Sequence, residues 1–200
     1  MVHHGGADLD ELVGLQDEGQ SSSDAVALAW VIGNPNRRMT PKTSIIHSIV
    51  TARNMTDGLL EGVAYRDWLR QPVPTGQHVL WIVGHLARAD DWGLIALGLK
   101  SRLLDDIAEF FARGRPVTSD PQDYPAPEAV HEVYRASHQR FMDRLDVISD
   151  ADLDRPTCGA IARFAPNLGT LLQSHVWHEG FHGGQLALIR RYLGLPVRWG

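Results

Sequence analysis

The chain has 200 residues, of which 44% are hydrophobic, and this suits a single domain with a sizeable core. Its 19 basic and 24 acidic residues give a formal charge of −5, which argues against nucleic acid as the main partner. The single cysteine, Cys158, excludes an intramolecular disulfide and fits a reducing compartment. No apolar stretch approaches the ~18–20 residues that span a bilayer, and the start lacks the order of a signal peptide. We therefore expect a cytoplasmic protein without a membrane segment.

The first part of the chain differs in composition from the rest. Residues 1–38 are largely polar and rich in glycine and serine, apart from a short apolar patch at residues 24–33. Such a composition is typical of a poorly ordered lead-in. The sequence therefore predicts an N-terminal extension over residues 1–38, poorly ordered or loosely packed, and a folded domain over residues 39–200.

Four long segments of the folded domain have the apolar spacing of α-helices. The second is apolar on most sides, so we expect it to be largely buried. A proline-rich segment separates the second helix from the third, and nothing in the sequence indicates a sheet. The prediction is an all-α four-helix bundle with one long connection, after the second helix. The predicted helices cover residues 40–69, 77–99, 128–148 and 167–193.

Three histidines of the fourth helix share one face. At ~100° per residue, His175, His178 and His182 fall within ~60° of one another, and Gln185 lies on the same side. His178 and His182 have the i,i+4 spacing that stacks two imidazoles one turn apart, where both can bind one metal ion. His175 and His182 are ~10.5 Å apart along the axis, too far to share an ion, so the alternative pair is His175 with His178, whose i,i+3 spacing is slightly less favourable. Gln185 is placed to orient a ligand.

An open catalytic metal site needs a third protein ligand, and His85 is the best candidate. It lies in the middle of the second helix among apolar neighbours, where a buried imidazole needs a partner. Facing helices of bundles build metal sites in this way. The histidines at positions 47, 131 and 138 lie on helices with nothing nearby to recruit them, so we assign them ordinary surface or core roles.

Residues 178–182 also match HExxH, the zinc metallopeptidase pattern in which the glutamate, here Glu179, is the general base. The longer form of that pattern requires glycine at position 185 and histidine at position 188, where this chain has Gln185 and Leu188. Residues 183–200 contain no histidine, aspartate or glutamate that could supply a third ligand. We interpret the match as a coincidence of a short motif.

The chain resembles the DinB-like superfamily, which includes the YfiT-like metal-dependent hydrolases and the N-terminal domains of mycothiol-dependent maleylpyruvate isomerases. The resemblance covers residues 40–196 and rests on three segments in the family's order. These are HVLWIVGHLARADDW at 78–92, FARGRPVTSDPQDYPAPEAV at 111–130 and HVWHEGFHGGQLALIRRYLGLP at 175–196.

The resemblance implies a bundle of up-down-down-up topology, a homodimer, and a metal held by His85, His178 and His182. Zinc or nickel is the expected ion, since sites made only of histidine select poorly among late first-row metals. Gln185, His175 and Glu179 are expected to surround the ligands. Arg190 is a further candidate, because a guanidinium group suits the carboxylates of a thiol cofactor.

Members of this family resemble transferases that add a low-molecular-weight thiol, such as mycothiol, bacillithiol or glutathione, to a small electrophile. Others resemble isomerases whose reaction is assisted by such a thiol. The resemblance thus implies a thiol-dependent S-transferase or isomerase with a small-molecule substrate. A hydrolase that uses a metal-activated water is the first alternative. A non-catalytic binding module, in which the ion holds the bundle together during a stress response, is the second.

Overall fold

The computed structural model describes residues 39–100, 107–159 and 161–198. Within these ranges the chain is helical, has no β-strand, and contains one isolated bridge between Pro156 and Asn167. The all-α prediction is confirmed. The extension predicted at residues 1–38 lies outside the described residues.

Four long helices form the part of the chain that the structure describes, and short 3-10 turns lie in the segments that join them. The longest connection, residues 97–126, joins α2 to α3. No helix within the described ranges combines the length and hydropathy that crossing a bilayer requires. The long helices are α1 (Pro41–Leu60), α2 (Val79–Ala96), α3 (Pro127–Asp146) and α4 (Leu168–Tyr192). The 3-10 turns are Tyr65–Asp67, Ala108–Phe111, Pro121–Asp123, Asp150–Asp154 and Ile161–Arg163.

Side-chain caps set the start of three long helices. Thr40, His78 and Asn167 each accept a hydrogen bond from the backbone N–H three residues further on. This satisfies one of the N–H groups that a helix leaves without a partner in its first turn. Helix α3 has no such cap and begins with Pro127, whose fixed φ suits the first helical position and which has no N–H to satisfy.

The predicted end of the first helix, at residue 69, was wrong. Helix α1 ends at Leu60, because Gly62 follows with φ of +74°, a left-handed conformation that terminates helices and that glycine adopts at little cost. The chain then turns so that Trp68 is buried, with its indole N–H donating to the carbonyl of Val63 at 3.2 Å. The apolar residues of this segment continue the core without continuing the helix.

Contacts between the helices give their directions. Helix α1 runs parallel to α4, α2 runs parallel to α3, and the two pairs run in opposite directions, which is an up-down-down-up order. The residue pairs that establish this are Arg53–Glu179 and Leu59–Arg190, His138–Asp90 and Arg144–Leu97, and His85–His178 and Asp90–His175.

Helix α2 is the most buried of the four, with 12 of its 18 residues inside, so its polar side chains must find partners within the bundle. Gly84 decides how closely the α2–α3 connection approaches it. A Cβ at this position would lie 2.5 Å from the ring of Phe111, which is itself fully buried. Only glycine leaves room for this packing, and the packing brings the Phe111 carbonyl to the neighbouring His85.

Candidate metal centre

Helices α2 and α4 bring three imidazoles to one point in the bundle. His178 and His182, one turn apart on α4, have their Nε2 atoms 3.0 Å apart. His85, from α2, places its Nε2 atom 3.1 Å from that of His178. His182 is 4% exposed, whereas His85 and His178 are half-buried. The cluster therefore lies just beneath the surface, with His178 between its two neighbours.

The outer nitrogens of two imidazoles are held by hydrogen bonds. His85 Nδ1 lies 3.0 Å from the carbonyl oxygen of Phe111, and His182 Nδ1 lies 2.7 Å from Oε1 of Gln185. Both partners are acceptors, so Nδ1 carries the proton and Nε2 carries a lone pair in each ring. The Gln185 amide is itself oriented, since its Nε2 donates to Oε1 of Gln77 at 3.2 Å. The hydrogen bonds thus direct two lone pairs at His178 Nε2.

This arrangement fits a divalent metal ion. Nitrogens that share one ion at ~2.0–2.1 Å, with ~90–110° between the bonds, lie ~2.9–3.4 Å from one another. The two measured separations, 3.0 and 3.1 Å, fall in that range. Hydrogen bonds from the outer nitrogen to a carbonyl or amide oxygen are also what metal-ligating histidines usually make. His85, His178 and His182 form the one such group among the residues the structure describes.

The environment keeps all three imidazoles neutral, which is the form that binds metals. Burial lowers the pKa of His182 to about 4, although its hydrogen bond to Gln185 opposes the shift. Burial lowers the pKa of His178 to about 3, and the nearby His182 and His85 rings add to the effect. Burial is also the main cause that lowers the pKa of His85, followed by the positive charges of Arg88 and Arg113.

Aromatic side chains enclose the cluster on two sides. Trp81 stacks on the His85 ring with centroids 4.5 Å apart and planes 13° apart, and so fixes the ring that faces α4. Phe181 meets His182 edge-on at 5.2 Å, and stacks at 5.5 Å on Trp177, which is 68% exposed. The cluster thus has an apolar wall inside and a pair of exposed aromatic rings beside it.

A second buried polar group links all four helices and carries charge. Arg53 of α1 lies between two carboxylates, 2.8 Å from Asp90 of α2 and 2.5 Å from Glu179 of α4. His138 of α3 and His175 of α4 approach the Asp90 carboxylate at 3.3 and 4.0 Å. Burial would raise the pKa of Asp90, but Arg53 and His138 outweigh it and lower the pKa to about 2. We call these five residues the ionic cluster.

The structure separates the residues that the sequence placed around the ligands. Gln185 contacts His182, whereas Glu179 and His175 belong to the ionic cluster. Thr56 also donates to Glu179, at 2.6 Å, so the glutamate of the HExxH match is engaged by α1. Arg190 donates to the backbone carbonyls of Leu59, Glu61 and Pro196. None of these Arg190 contacts supports the predicted cofactor role.

Sequence reasoning missed two features of the site. The first is the Phe111 carbonyl that accepts from His85, because a backbone carbonyl cannot be recognised from the residue type. The second is Gln77, which lies just before the start of α2 and orients Gln185. It also assigned no partner to His138, which contacts Asp90. The burial pattern of α2 carried a hint, because an aspartate on a nearly all-apolar helix needs a partner from another helix.

The fold and the site define a helical bundle with a group of three histidines suited to a divalent metal ion. The sequence profile of the DinB superfamily matches residues 48–186, about two thirds of the chain. The chain belongs to the DinB superfamily, and the predicted resemblance is confirmed. The matched segment includes His85, His178, His182 and Gln185 and ends before Arg190. No curated protein matches the chain.

Proposed function

We propose that the protein is a divalent-metal-dependent enzyme that transfers a low-molecular-weight thiol to a small electrophile, or uses the thiol to assist an isomerisation. The observation that carries the proposal is the convergence of three neutral imidazoles, with His178 Nε2 3.1 Å from that of His85 and 3.0 Å from that of His182. We propose zinc or nickel as the ion. Three protein ligands are typical of catalytic sites, because they leave a position for an exogenous ligand.

Each residue of the site has a defined part in this proposal. His85, His178 and His182 hold the ion, and a bound ion would lower the pKa of a thiol that reaches it. The Phe111 carbonyl and Gln185 fix the ring orientations through the outer nitrogens. Trp81 stacks on one face of the His85 ring and so limits its rotation. The absence of carboxylate ligands leaves the ion's full charge for an incoming anionic group.

The reaction needs no nucleophile from the protein. In a transfer, the thiol sulfur bonds to an electrophilic carbon, the bond from that carbon to the leaving group breaks, and the thiol proton departs with the leaving group. Cys158, the one cysteine in the chain, is exposed and belongs to neither buried cluster. A thiol-dependent enzyme suits the cytoplasm, where small thiols are kept reduced, and we propose that location together with a homodimer.

The test is a thiol-and-electrophile screen on protein purified without a nickel column and loaded with zinc or nickel. Glutathione, bacillithiol and mycothiol would each be offered with 1-chloro-2,4-dinitrobenzene, and the thioether product followed by absorbance. We expect turnover with at least one thiol, its loss in His85→Ala, and its retention in His131→Ala, a control on α3 whose ring meets Tyr65.

Two other outcomes would replace the proposal. Hydrolysis of ester substrates without any thiol would indicate the metal-dependent hydrolase. Metal uptake with no turnover of thiols or esters, and unfolding when the metal is removed, would indicate the non-catalytic module.

A further inference from the structure

The indole N–H of Trp81 is a buried donor that the fold leaves unsatisfied. Trp81 is 6% exposed, and its Nε1 atom has no hydrogen-bond acceptor within the part of the chain that the structure describes. A buried tryptophan N–H usually finds an acceptor. Trp68, in the same core, shows the usual case, since its N–H donates to the carbonyl of Val63 at 3.2 Å. The core therefore contains one satisfied and one unsatisfied indole.

The Trp81 ring contacts two of the three candidate metal ligands. It stacks on His85, one turn further along α2, with ring centroids 4.5 Å apart and planes 13° apart. Its centroid also lies 6.2 Å from that of His182 on α4, with the planes at 58°. The unsatisfied N–H is thus carried by a ring that borders the histidine cluster on both of the helices that build it.

The acceptors that hold the two outer histidines are engaged by other donors. The Phe111 carbonyl takes the N–H of His85, and Gln185 Oε1 takes the N–H of His182. An unsatisfied buried N–H costs free energy, and in a native protein it indicates a partner that the chain does not supply, either a ligand or a water molecule. Because the indole borders two candidate metal ligands, a molecule bound at the ion is the partner that the arrangement favours.

We propose that the Trp81 N–H donates to the molecule that binds the ion, and that the site therefore selects thiols with an uncharged oxygen acceptor, such as an amide carbonyl, close to the sulfur. The proposal rests on the proposed function, because a thiol is what the ion would take. The indole is neutral and buried, so a carboxylate beside it would cost more free energy to bury than an amide. A thiol that lacks the acceptor leaves the N–H unsatisfied and binds more weakly.

The experiment uses the full chain loaded with Co²⁺ and two uncharged thiols. N-methylmercaptoacetamide has an amide carbonyl beside the sulfur, and 1-propanethiol has none. Thiolate binding to the ion is followed by the charge-transfer absorption that it produces. Trp81→Phe removes the N–H and keeps an aromatic ring against His85. We expect this exchange to weaken binding of the amide thiol by about three- to tenfold, the worth of a neutral hydrogen bond, and binding of 1-propanethiol by less than about twofold.

A second measurement needs no variant. In the Zn²⁺-loaded parent, the proton resonance of the Trp81 indole N–H should move downfield with the amide thiol and not with 1-propanethiol. The matched control is Trp177→Phe, the same exchange at the exposed tryptophan that stacks on Phe181. It should leave both affinities as they are in the parent. Circular dichroism checks that each variant is folded.

Two results would overturn the role of Trp81. Unchanged affinity for the amide thiol in Trp81→Phe would mean that the N–H does not reach the ligand. Equal losses for both thiols would mean that the indole acts through packing or a structural water. If cobalt binds but neither thiol changes the spectrum of the parent, the thiol chemistry of the proposed function fails as well.

Discussion

The bundle contains two buried clusters of polar side chains, and they differ in how the free-energy cost of burial is offset. In the ionic cluster, opposite charges from three helices compensate one another, with the guanidinium group of Arg53 between the carboxylates of Asp90 and Glu179. In the histidine cluster, the Nε2 lone pairs of His85 and His182 both point at Nε2 of His178, at 3.1 and 3.0 Å. The ionic cluster joins helices through opposite charges and so serves the fold. The histidine cluster brings together lone pairs that could hold a metal ion.

Helix α4 contributes to both groups from adjacent residues. His178 belongs to the histidine cluster, whereas Glu179, the next residue, turns toward α1 and the ionic cluster. A helix turns ~100° at each residue, so neighbouring side chains face different partners. Substitutions in one cluster should therefore change stability, and substitutions in the other should change ligand binding.

The largest effect on stability is expected from Asp90→Ala. It leaves Arg53 buried with one carboxylate fewer and removes the partner of His138 and His175, which should lower the free energy of unfolding by about 3–5 kcal/mol. Urea denaturation of metal-free protein, followed by circular dichroism, measures this change. Asp91→Ala is the matched control, because Asp91 is as buried as Asp90 and forms no ion pair within 4.0 Å with any residue that the structure describes. Similar losses in both variants would contradict the importance of the ionic cluster.

A smaller effect on the free energy of unfolding is expected from protonation of His78 as the pH falls. This residue belongs to neither cluster. This residue caps α2 by accepting the Trp81 N–H, and burial lowers its pKa to about 4 against 6.5 for an exposed histidine. The unfolded chain binds the proton first, so the stability that His78 contributes is full above pH 6.5 and is lost as the pH falls toward 4.

His78→Asn keeps a capping side chain but removes this titration. Between pH 6.5 and 4, we expect the variant to lose up to about 3 kcal/mol less stability than the parent. Urea denaturation at several pH values compares the two proteins. Parallel curves across this range would contradict the expected pKa of His78.

The smallest effect is expected from Gln185→Leu, which removes the acceptor that orients His182. Loss of such a support typically weakens metal affinity by about 10–100-fold without preventing binding. Calorimetric titration with zinc measures the change. Gln185→Glu, which retains an oxygen acceptor, should stay closer to the parent. An unchanged affinity in Gln185→Leu would mean that packing alone orients the ring.

Much of this fold could be predicted because its signals are local. Apolar spacing located the four helices, but the end of α1 was missed, since the apolar residues after Gly62 continue the pattern while the backbone turns. The prediction that His85 lies beside the α4 histidines rested on the rule that a buried imidazole needs a hydrogen-bonding or ligand partner.

The remaining contacts depend on which helix lies on which side. The sequence of α4 predicts that His178 and Glu179 point in directions ~100° apart around the helix. It does not predict that Arg53 of α1 contacts Glu179. Arginines on helices are usually solvated, so Arg53 gave no signal of its own. Arg190 was likewise considered for a cofactor, whereas its hydrogen bonds go to three backbone carbonyls that only the folded chain assembles.

The most direct test of the account is elemental analysis of untagged protein, purified without a nickel column, beside His178→Ala. His178 is the right residue to remove because its Nε2 atom lies within 3.1 Å of the Nε2 atoms of both His85 and His182. We predict about one divalent ion per chain in the parent, little in the variant, and the same helical circular dichroism in both. Absence of metal from the parent, even after reconstitution with zinc or nickel, would contradict the account and leave the three histidines as ordinary packing.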